Sequence, residues 1–181
     1  MPYLWRRTLI GALAVYVIAA SVFLLAGGGS ASNQQRAAGN TVGREITDGL
    51  YSLEFTTIDG LRTSLGHYAG APLIVNFFAS WCVPCVEEMP DFQRLHESRG
   101  EQFQILGLAV EGERPARRIV ESTGVTYPIG LDDRDLLVQL GGVAMPTTVF
   151  ISDQGELLES HSGVLDYSKL IDRIEELFGD G

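Results

Sequence analysis

One short apolar run limits the possible folds of this chain more than any other feature. Residues 72–79, PLIVNFFA, are almost continuously apolar, which is typical of a strand buried on both faces of a sheet. The only two cysteines of the chain, Cys82 and Cys85, follow this run almost at once. A helix should begin near the first cysteine and continue to about Ser98. The run therefore predicts a buried strand that leads into a helix with both cysteines at its start.

That helix should bury one face. Met89, Phe92 and Leu95 recur at three-residue spacing, so they should form the inner face of the helix. Pro90 lies within the same segment and should kink it.

Other short elements alternate along residues 46–181. Two strand patterns, LYSLEFTT and LRTSL, flank a turn, and two more, TTVFIS and LLESHS, flank the turn DQGE as in a β-hairpin. The remaining patterns are one buried strand, FQILGLAV, and three helices, ERPARRIVESTG, DDRDLLVQLGG and YSKLIDRIEELF. Strands that alternate with helices, followed by a hairpin and a closing helix, predict an α/β fold with a central mixed β-sheet flanked by helices.

A second, longer apolar segment lies near the N-terminus. Residues 8–26 are 19 consecutive positions without a charge, and as a helix they would span roughly 28 Å, about the thickness of a bilayer's hydrocarbon core. Arg6 and Arg7 precede the segment, and no basic residue follows it before Arg36. The positive-inside rule then places the N-terminus in the cytoplasm and the rest of the chain outside it.

These features predict four regions. They are a cytoplasmic N-terminus at 1–7, a transmembrane anchor or uncleaved signal at 8–26, a flexible linker at 27–45 and a globular domain at 46–181. A cleaved signal peptide is the alternative, because the small residues GGGSAS could serve a signal peptidase. The apolar region of such a signal is usually shorter, about 7–15 residues, so we favour a retained anchor with an exported domain.

The charge balance argues against one class of partner. The chain has 13 basic and 23 acidic residues and a net charge of −10. It offers no basic patch that would neutralise phosphates, so a nucleic-acid partner is not expected.

The two cysteines have three interpretations. A structural zinc site requires four ligands, whereas this chain offers two cysteines and three scattered histidines, His67, His96 and His161, so we expect no metal. A structural disulfide is the simplest interpretation for an exported protein. A bridge across two intervening residues closes a very small ring, however, and constrains the unfolded chain little. A redox-active dithiol, which needs no cofactor, fits better.

The start of a helix suits that third interpretation. Two intervening residues place Cys82 on the exposed first turn and Cys85 one turn further in. Unpaired backbone N–H groups and the positive end of the helix dipole then favour the thiolate of Cys82. We therefore expect Cys82 to be the exposed nucleophile and Cys85 the shielded thiol that resolves the mixed disulfide.

The stretch FFASWCVPC resembles the active-site segment of thioredoxin-fold proteins. Trp81 matches their tryptophan before the first cysteine, Pro90 matches their helix-kinking proline, and Pro146 in VAMPTTVFI matches the cis-proline that packs opposite the dithiol. The resemblance implies a thioredoxin-like fold and a cis bond before Pro146. The residues that it implies for substrate binding are Trp81, Pro84, Met145 and Pro146.

A finer resemblance covers roughly residues 46–181. It is to the membrane-anchored TlpA/ResA-like group, which includes the thiol–disulfide oxidoreductases of cytochrome c maturation. Asn76 lies where cytoplasmic thioredoxins carry a buried Asp, and Glu88 lies where this group often has an acidic residue. The unit FQILGLAVEGERPARRIVESTG is also longer than a minimal thioredoxin requires, and the single predicted anchor fits the group.

Glu88 itself has two interpretations. Neighbouring glutamates on a helix are usually solvated, and we expect this of Glu87. Three residues after Cys85, Glu88 instead faces the same side as that sulfur, where burial would raise its pKa and suit it to catalytic acid/base chemistry. We expect His161 and the acids of LDDRD at the surface, at a helix cap and in a turn.

The leading functional hypothesis is an extracytoplasmic thiol–disulfide oxidoreductase that reduces protein disulfides through the Cys82–Cys85 pair. The resemblance implies a single-pass protein of the bacterial inner membrane with its soluble domain in the periplasm or extracytoplasmic space. It also implies a membrane-embedded thiol electron donor and targets such as the Cys-x-x-Cys-His haem sites of apocytochromes c. The alternatives are a disulfide oxidase or isomerase of the same fold and a copper-binding metallochaperone. Copper proteins of this fold generally have a wider cysteine spacing and a dedicated histidine ligand.

Overall fold

A computed structural model describes residues 49–179. The predicted cytoplasmic N-terminus, transmembrane anchor and linker lie outside the described residues. Within residues 49–179, no helix is both long enough and apolar enough to cross a bilayer.

After a helical segment at 49–51, seven strands and four helices follow one another along the described part of the chain. The strands are β1 (Glu54–Thr57), β2 (Arg62–Ser64), β3 (Leu73–Phe78), β4 (Gln104–Ala109), β5 (Ile129–Leu131), β6 (Thr147–Ile151) and β7 (Leu157–Ser162). The helices are α1 (Val83–Arg99), α2 (Glu113–Thr123), α3 (Leu136–Gln139) and α4 (Tyr167–Phe178), and a 3-10 helix at Leu65–Tyr68 follows β2.

These strands form one mixed sheet in the order β2-β1-β5-β4-β3-β6-β7. The three strands β3, β4 and β5 run parallel to one another. β1 and β2 add one antiparallel edge, and β6 and β7 add the other. β3 is buried at all six of its positions, as its unbroken apolar pattern predicted. The predicted α/β fold with a central mixed sheet is confirmed.

Alternate residues of β3 enter two apolar layers on opposite faces of the sheet. Ile74 and Phe78 pack in the layer that contains α1 and α4, and Leu73, Val75 and Phe77 face the other layer. Met89, Phe92 and Leu95 of α1 have no exposed surface, which confirms the predicted inner face of that helix. The core therefore holds α1 firmly against the sheet along its buried stripe.

The structure differs from the sequence prediction in three places. The pattern LYSLEFTT, residues 50–57, is helical at its first two positions and becomes a strand only at Glu54. The segment DDRDLLVQLGG contains a helix of only four residues. The sequence analysis did not predict β5. This strand has only three residues, it follows a proline and it contains Gly130, so it lacks the pattern that is typical of a strand. A Cβ on Gly130 would lie 2.5 Å from a ring carbon of Phe55, so glycine permits the close approach of β1 and β5.

Candidate active site

The two cysteines lie at the start of α1. Cys82 is the N-cap residue, and Cys85 lies in the first helical turn. Their sulfurs are joined in a disulfide, with the two Cα atoms 5.3 Å apart. Pro84 occupies the same turn, where backbone N–H groups have no partner within the helix and a proline removes no helical hydrogen bond. The predicted helix start at the cysteines is confirmed.

The two sulfurs differ in accessibility less than the sequence suggested. Cys85 has no exposed surface, and Cys82 retains 5%. The expectation of an openly exposed Cys82 was wrong for this oxidised state, because the disulfide holds its sulfur against Cys85 in the apolar layer beneath. The neighbouring Trp81 and Val83 are 66% and 65% exposed. Apolar side chains therefore project beside the more accessible sulfur.

Glu111 fixes the segment that precedes Cys82. Its carboxylate accepts hydrogen bonds from the backbone N–H of Ser80, at 2.5 Å, and from the Ser80 hydroxyl, at 2.9 Å. Glu111 follows β4, which runs parallel to β3, so the ends of both strands meet at the same edge of the sheet. Sequence reasoning missed this residue. The available indication was an acidic residue just after a strand that neighbours β3.

Pro146 lies at the same edge. The Met145–Pro146 bond is cis, as the resemblance implied. The antiparallel register of β3 and β6 pairs Phe77 with Thr147, so Pro146 neighbours Phe78, the last residue of the strand that leads to the cysteines. Pro146 is buried and Met145 is half-buried. The register therefore brings this loop beside the dithiol.

Glu88 lies one turn further along α1 and is only 2% exposed. Its Oε1 accepts a hydrogen bond from the Asn76 amide at 2.8 Å, and its Oε2 accepts one from the backbone N–H of Leu165 at 3.1 Å. Glu87 is exposed. Of the two interpretations of Glu88, the structure shows the buried one, and the expected exposure of Glu87 is confirmed.

Burial changes the acidity of Glu88. Loss of solvent is the largest influence and raises the pKa of its carboxyl from the ordinary value of 4.5 to about 7. The hydrogen bonds from Asn76 and Leu165 lower the pKa, and the charge of Asp91 adds a smaller increase. Burial, together with the charge of Glu88, also raises the pKa of Tyr127. A carboxyl with a pKa near 7 can both take up and release a proton at neutral pH.

Other predicted positions have simpler roles. Asp132 of the LDDRD segment caps a helix, since its carboxylate accepts hydrogen bonds from the N–H groups of Leu136, at 2.6 Å, and Leu137, at 3.0 Å. His161 is half-buried, not on the open surface as we expected, because α4 packs beside β7. Among residues 49–179, no three His, Cys, Asp or Glu side chains converge as a metal site.

Comparison with known proteins places this site among similar chains. A family model described as Redoxin matches residues 37–172. The thioredoxin-like protein YneN of Bacillus subtilis is 24% identical over 136 residues, which cover 72% of this chain and 80% of that protein. The thiol-disulfide oxidoreductase ResA of Halalkalibacterium halodurans is 30% identical over 109 residues, which cover 59% of this chain and 62% of that protein.

A solved structure supports the fold. The structure of MTB DsbF in its mixed oxidized and reduced forms aligns with a TM-score of 0.65 and 21% identity, over 71% of this chain and 96% of that one. At this level of identity the likeness concerns the fold alone. It confirms the predicted thioredoxin-like arrangement.

Proposed function

Because the chain belongs to the Redoxin family, we propose that it is a thiol–disulfide oxidoreductase that reduces protein disulfides outside the cytoplasm. Thiol–disulfide exchange is supported by the names of its relatives and by the Cys82–Cys85 bond at a helix start. The observation that carries the proposal is a buried carboxyl, Glu88, on the same helix face as Cys85, with a pKa of about 7.

The proposed reaction begins with the reduced dithiol. The thiolate of Cys82 attacks one sulfur of the substrate disulfide, forms a bond to it and breaks the substrate S–S bond. The other substrate sulfur leaves as a thiolate and takes a proton from solvent. Positive potential at the N-terminus of α1 stabilises the attacking thiolate of Cys82.

Cys85 completes the exchange. Its thiol passes a proton to the Glu88 carboxylate, and its sulfur attacks Cys82 and releases the second substrate sulfur as a thiolate. Two electrons have then moved from the dithiol to the substrate, and the Cys82–Cys85 disulfide is the oxidised product. Glu88 suits this step because it lies three residues after Cys85, on one face of α1.

The surroundings of the disulfide suit a protein substrate. Trp81 and Val83 offer exposed apolar surface on one side of Cys82. Met145 and Pro146 border the same edge of the sheet, as the strand register requires. An extended segment that contains a cysteine would contact both sides, and this is the role that we assign to Trp81, Pro84, Met145 and Pro146.

The cellular setting is part of the proposal. The apolar segment at 8–26 and the arginines before it favour a single-pass protein of the bacterial inner membrane with an extracytoplasmic domain. Such a domain would draw its electrons from a membrane-embedded thiol carrier and would reduce chosen proteins, for example apocytochromes c at their Cys-x-x-Cys-His sites. Membrane fractionation with protease added from the periplasmic side checks the topology. Recovery of a soluble protein that begins near Asn33 would instead indicate a cleaved signal.

The decisive test is to trap the substrate. A Cys85→Ser protein, expressed in its host, should hold its target as a mixed disulfide on Cys82, and mass spectrometry should identify captured proteins with Cys-x-x-Cys-His segments. A Cys82→Ser/Cys85→Ser protein is the matched control and should capture nothing. The reduction potential of the parent separates the directions of exchange, since reductants lie near about −270 mV and strong oxidants near about −120 mV. A potential near the second value would contradict a reductase.

A further inference from the structure

A line of polar side chains crosses the buried face of the sheet. Asn76 of β3 pairs with Thr148 of β6, and Thr148 pairs with His161 of β7. Directly paired residues of antiparallel strands project from the same face, with Cβ atoms about 4.5–5.5 Å apart. Next to this line on the same face, Ile74 and Phe150 belong to the apolar layer beneath α1. A polar line through such a layer requires an explanation.

Two members of the line carry unpaired polar atoms. Oδ1 of Asn76 and Oγ1 of Thr148 are buried without a hydrogen-bond partner, and neither residue has exposed surface. Leaving a buried polar group unpaired costs about 1–3 kcal/mol. The neighbouring Thr147, on the opposite face, instead donates to the Ala144 carbonyl at 2.6 Å and lies 2.9 Å from the Ser162 hydroxyl. Packing alone therefore does not account for a hydroxyl at position 148, where valine has a similar shape.

The line joins the active site to the surface. At one end, the Asn76 amide donates to Glu88. At the other end, His161 is 29% exposed and lines a surface pocket between β7 and α4. The other residues of that pocket are Leu165, Lys169, Asp172, Arg173 and Glu176.

Glu88 has no open route of its own. It is 2% exposed, and a bound substrate would cover the disulfide during exchange. We propose that Thr148 and His161 form a proton path between the Glu88 carboxyl and solvent, with Asn76 as the residue that positions Glu88 at its inner end. This inference rests on the proposed function, in which Glu88 accepts the proton of Cys85.

Thr148 and His161 each receive one proton and release one, so the transfer is a balanced relay. Glu88 gives one proton towards the Thr148 hydroxyl, the hydroxyl passes its own proton on to the free nitrogen of neutral His161, and the ring releases one proton to solvent in the pocket. Where neighbouring groups of the path do not touch, the transfer requires a bridging water. Thr148 and His161 regain their original protonation, and Glu88 alone has lost a proton.

Several charged groups surround the two ends. Asp91, the Asn76 amide and the backbone N–H of Leu165 act on Glu88, and the charge of Glu88 acts on Tyr127. Around His161, Glu159 lies 3.6 Å from Nδ1. Lys169, Asp172, Arg173 and Glu176 of α4 line the same pocket. The path therefore opens among groups of both signs, where a proton can be exchanged with solvent.

The test measures proton exchange at Glu88 directly. In the oxidised full chain in detergent, the infrared band of the protonated carboxyl is followed after a rapid pH jump, and Glu88→Gln assigns the band. We expect Thr148→Val and His161→Ala to slow the change by about a hundredfold or more, as the loss of a proton-transfer partner produces, with the equilibrium pKa unchanged. In Thr148→Ser, which keeps a hydroxyl, the Glu88 carboxyl should exchange its proton at the parent rate. Imidazole in the buffer should restore the rate of proton exchange in His161→Ala, because the pocket is open to solvent.

Ser160→Ala is the matched control. Ser160 also carries a buried, unpaired hydroxyl, but it pairs with Val149 on the other face of the sheet, so its loss should leave the rate unchanged. Parent rates in both Thr148→Val and His161→Ala would refute the path. If Thr148→Val does not fold, the proposed path is tested by His161→Ala and its response to imidazole, because His161 is partly exposed and its replacement should not prevent folding. The assay needs no substrate, so failure of the reductase proposal in the trapping experiment would leave its result unaffected.

Discussion

Glu88 should make the folded domain less stable as the pH rises through neutrality. The carboxyl is buried, and its pKa is raised from 4.5 to about 7 because the hydrogen bonds from Asn76 and Leu165 only partly offset the loss of solvent. The folded protein thus binds this proton more tightly than the unfolded chain does. The contribution of Glu88 to stability is complete below about pH 4.5 and is lost as the pH rises through about 7.

The size of the effect follows from the two pKa values. One pKa unit corresponds to about 1.4 kcal/mol, so the interval from 4.5 to about 7 corresponds to a loss of about 3 kcal/mol in the free energy of unfolding. A single domain is typically stable by about 5–15 kcal/mol. The loss is therefore a large share of the total and should be easy to measure.

Urea unfolding checks this pH dependence with residues 45–181, which contain the whole described sheet and its flanking helices. The oxidised parent, Glu88→Gln and Glu87→Gln are unfolded at intervals from about pH 4 to 8.5, and the free energy is extrapolated to water. The oxidised form is used because disulfide-bonded cysteines do not titrate. We expect the difference between the parent and Glu88→Gln to change by about 3 kcal/mol across the series. Glu87→Gln should follow the parent, since Glu87 is exposed.

The test concerns how the difference in the free energy of unfolding between the parent and Glu88→Gln changes with pH, and not the size of that difference at any one pH. Glutamine places an NH2 group where Glu88 has a second oxygen that accepts a hydrogen bond, so the variant can differ from the parent by a constant amount at every pH. Parallel curves would refute the reasoning, because they would mean that the carboxyl titrates alike in the folded and unfolded chains.

Three further predictions concern the site and the sheet. In the reduced protein at mildly acidic pH, an alkylating reagent should label Cys82 before Cys85, as peptide mass spectrometry would show, and the reverse order would exchange their roles. Asn76→Ala should raise the pKa of Glu88 further and cost about 1–3 kcal/mol above neutral pH, where the lost hydrogen bond served a charged group. A smaller loss in the free energy of unfolding above pH 7 than at pH 5 in the urea series would contradict this prediction. Gly130→Ala should destabilise the domain by about 1–3 kcal/mol, because its methyl group would lie 2.5 Å from a β1 side chain. Unchanged thermal unfolding would mean that β1 and β5 can separate at little cost.

Local patterns were enough to predict much of this fold. The unbroken apolar pattern of β3 led to a strand buried on both faces, and the amphipathic pattern of YSKLIDRIEELF coincides with α4, Tyr167–Phe178. The position of Glu88 was predictable only in part. Its spacing of three residues after Cys85 places it on the same side of the helix as that sulfur, but the sequence left open whether the side chain is buried.

The features that the sequence did not predict depend on contacts between residues that are far apart in the chain. The backbone N–H of Leu165 completes the environment of Glu88 from 77 positions away, and every residue type except proline offers such a donor. Glu111 reaches Ser80 across 31 positions because two parallel strands end together. Thr148 lies opposite Asn76 only through the register of β3 and β6. Side-chain patterns carry no information about such pairings until the order of the strands is known.

In the reaction that we propose, the charge on Cys82 determines when Glu88 can release its proton. In the disulfide state Cys82 is neutral, and the pKa of Glu88 is about 7. A Cys82 thiolate in the reduced protein would raise this pKa further, because two negative charges near each other oppose ionisation, so Glu88 would hold its proton while Cys82 attacks. Formation of the mixed disulfide removes that charge, and the pKa of Glu88 falls back towards about 7. Glu88 can then release its proton and become the carboxylate that accepts the proton of Cys85. This order requires a proton to leave the buried carboxyl while the substrate covers the dithiol, so a path that opens on the far side, at His161, would let attack and resolution occur in sequence.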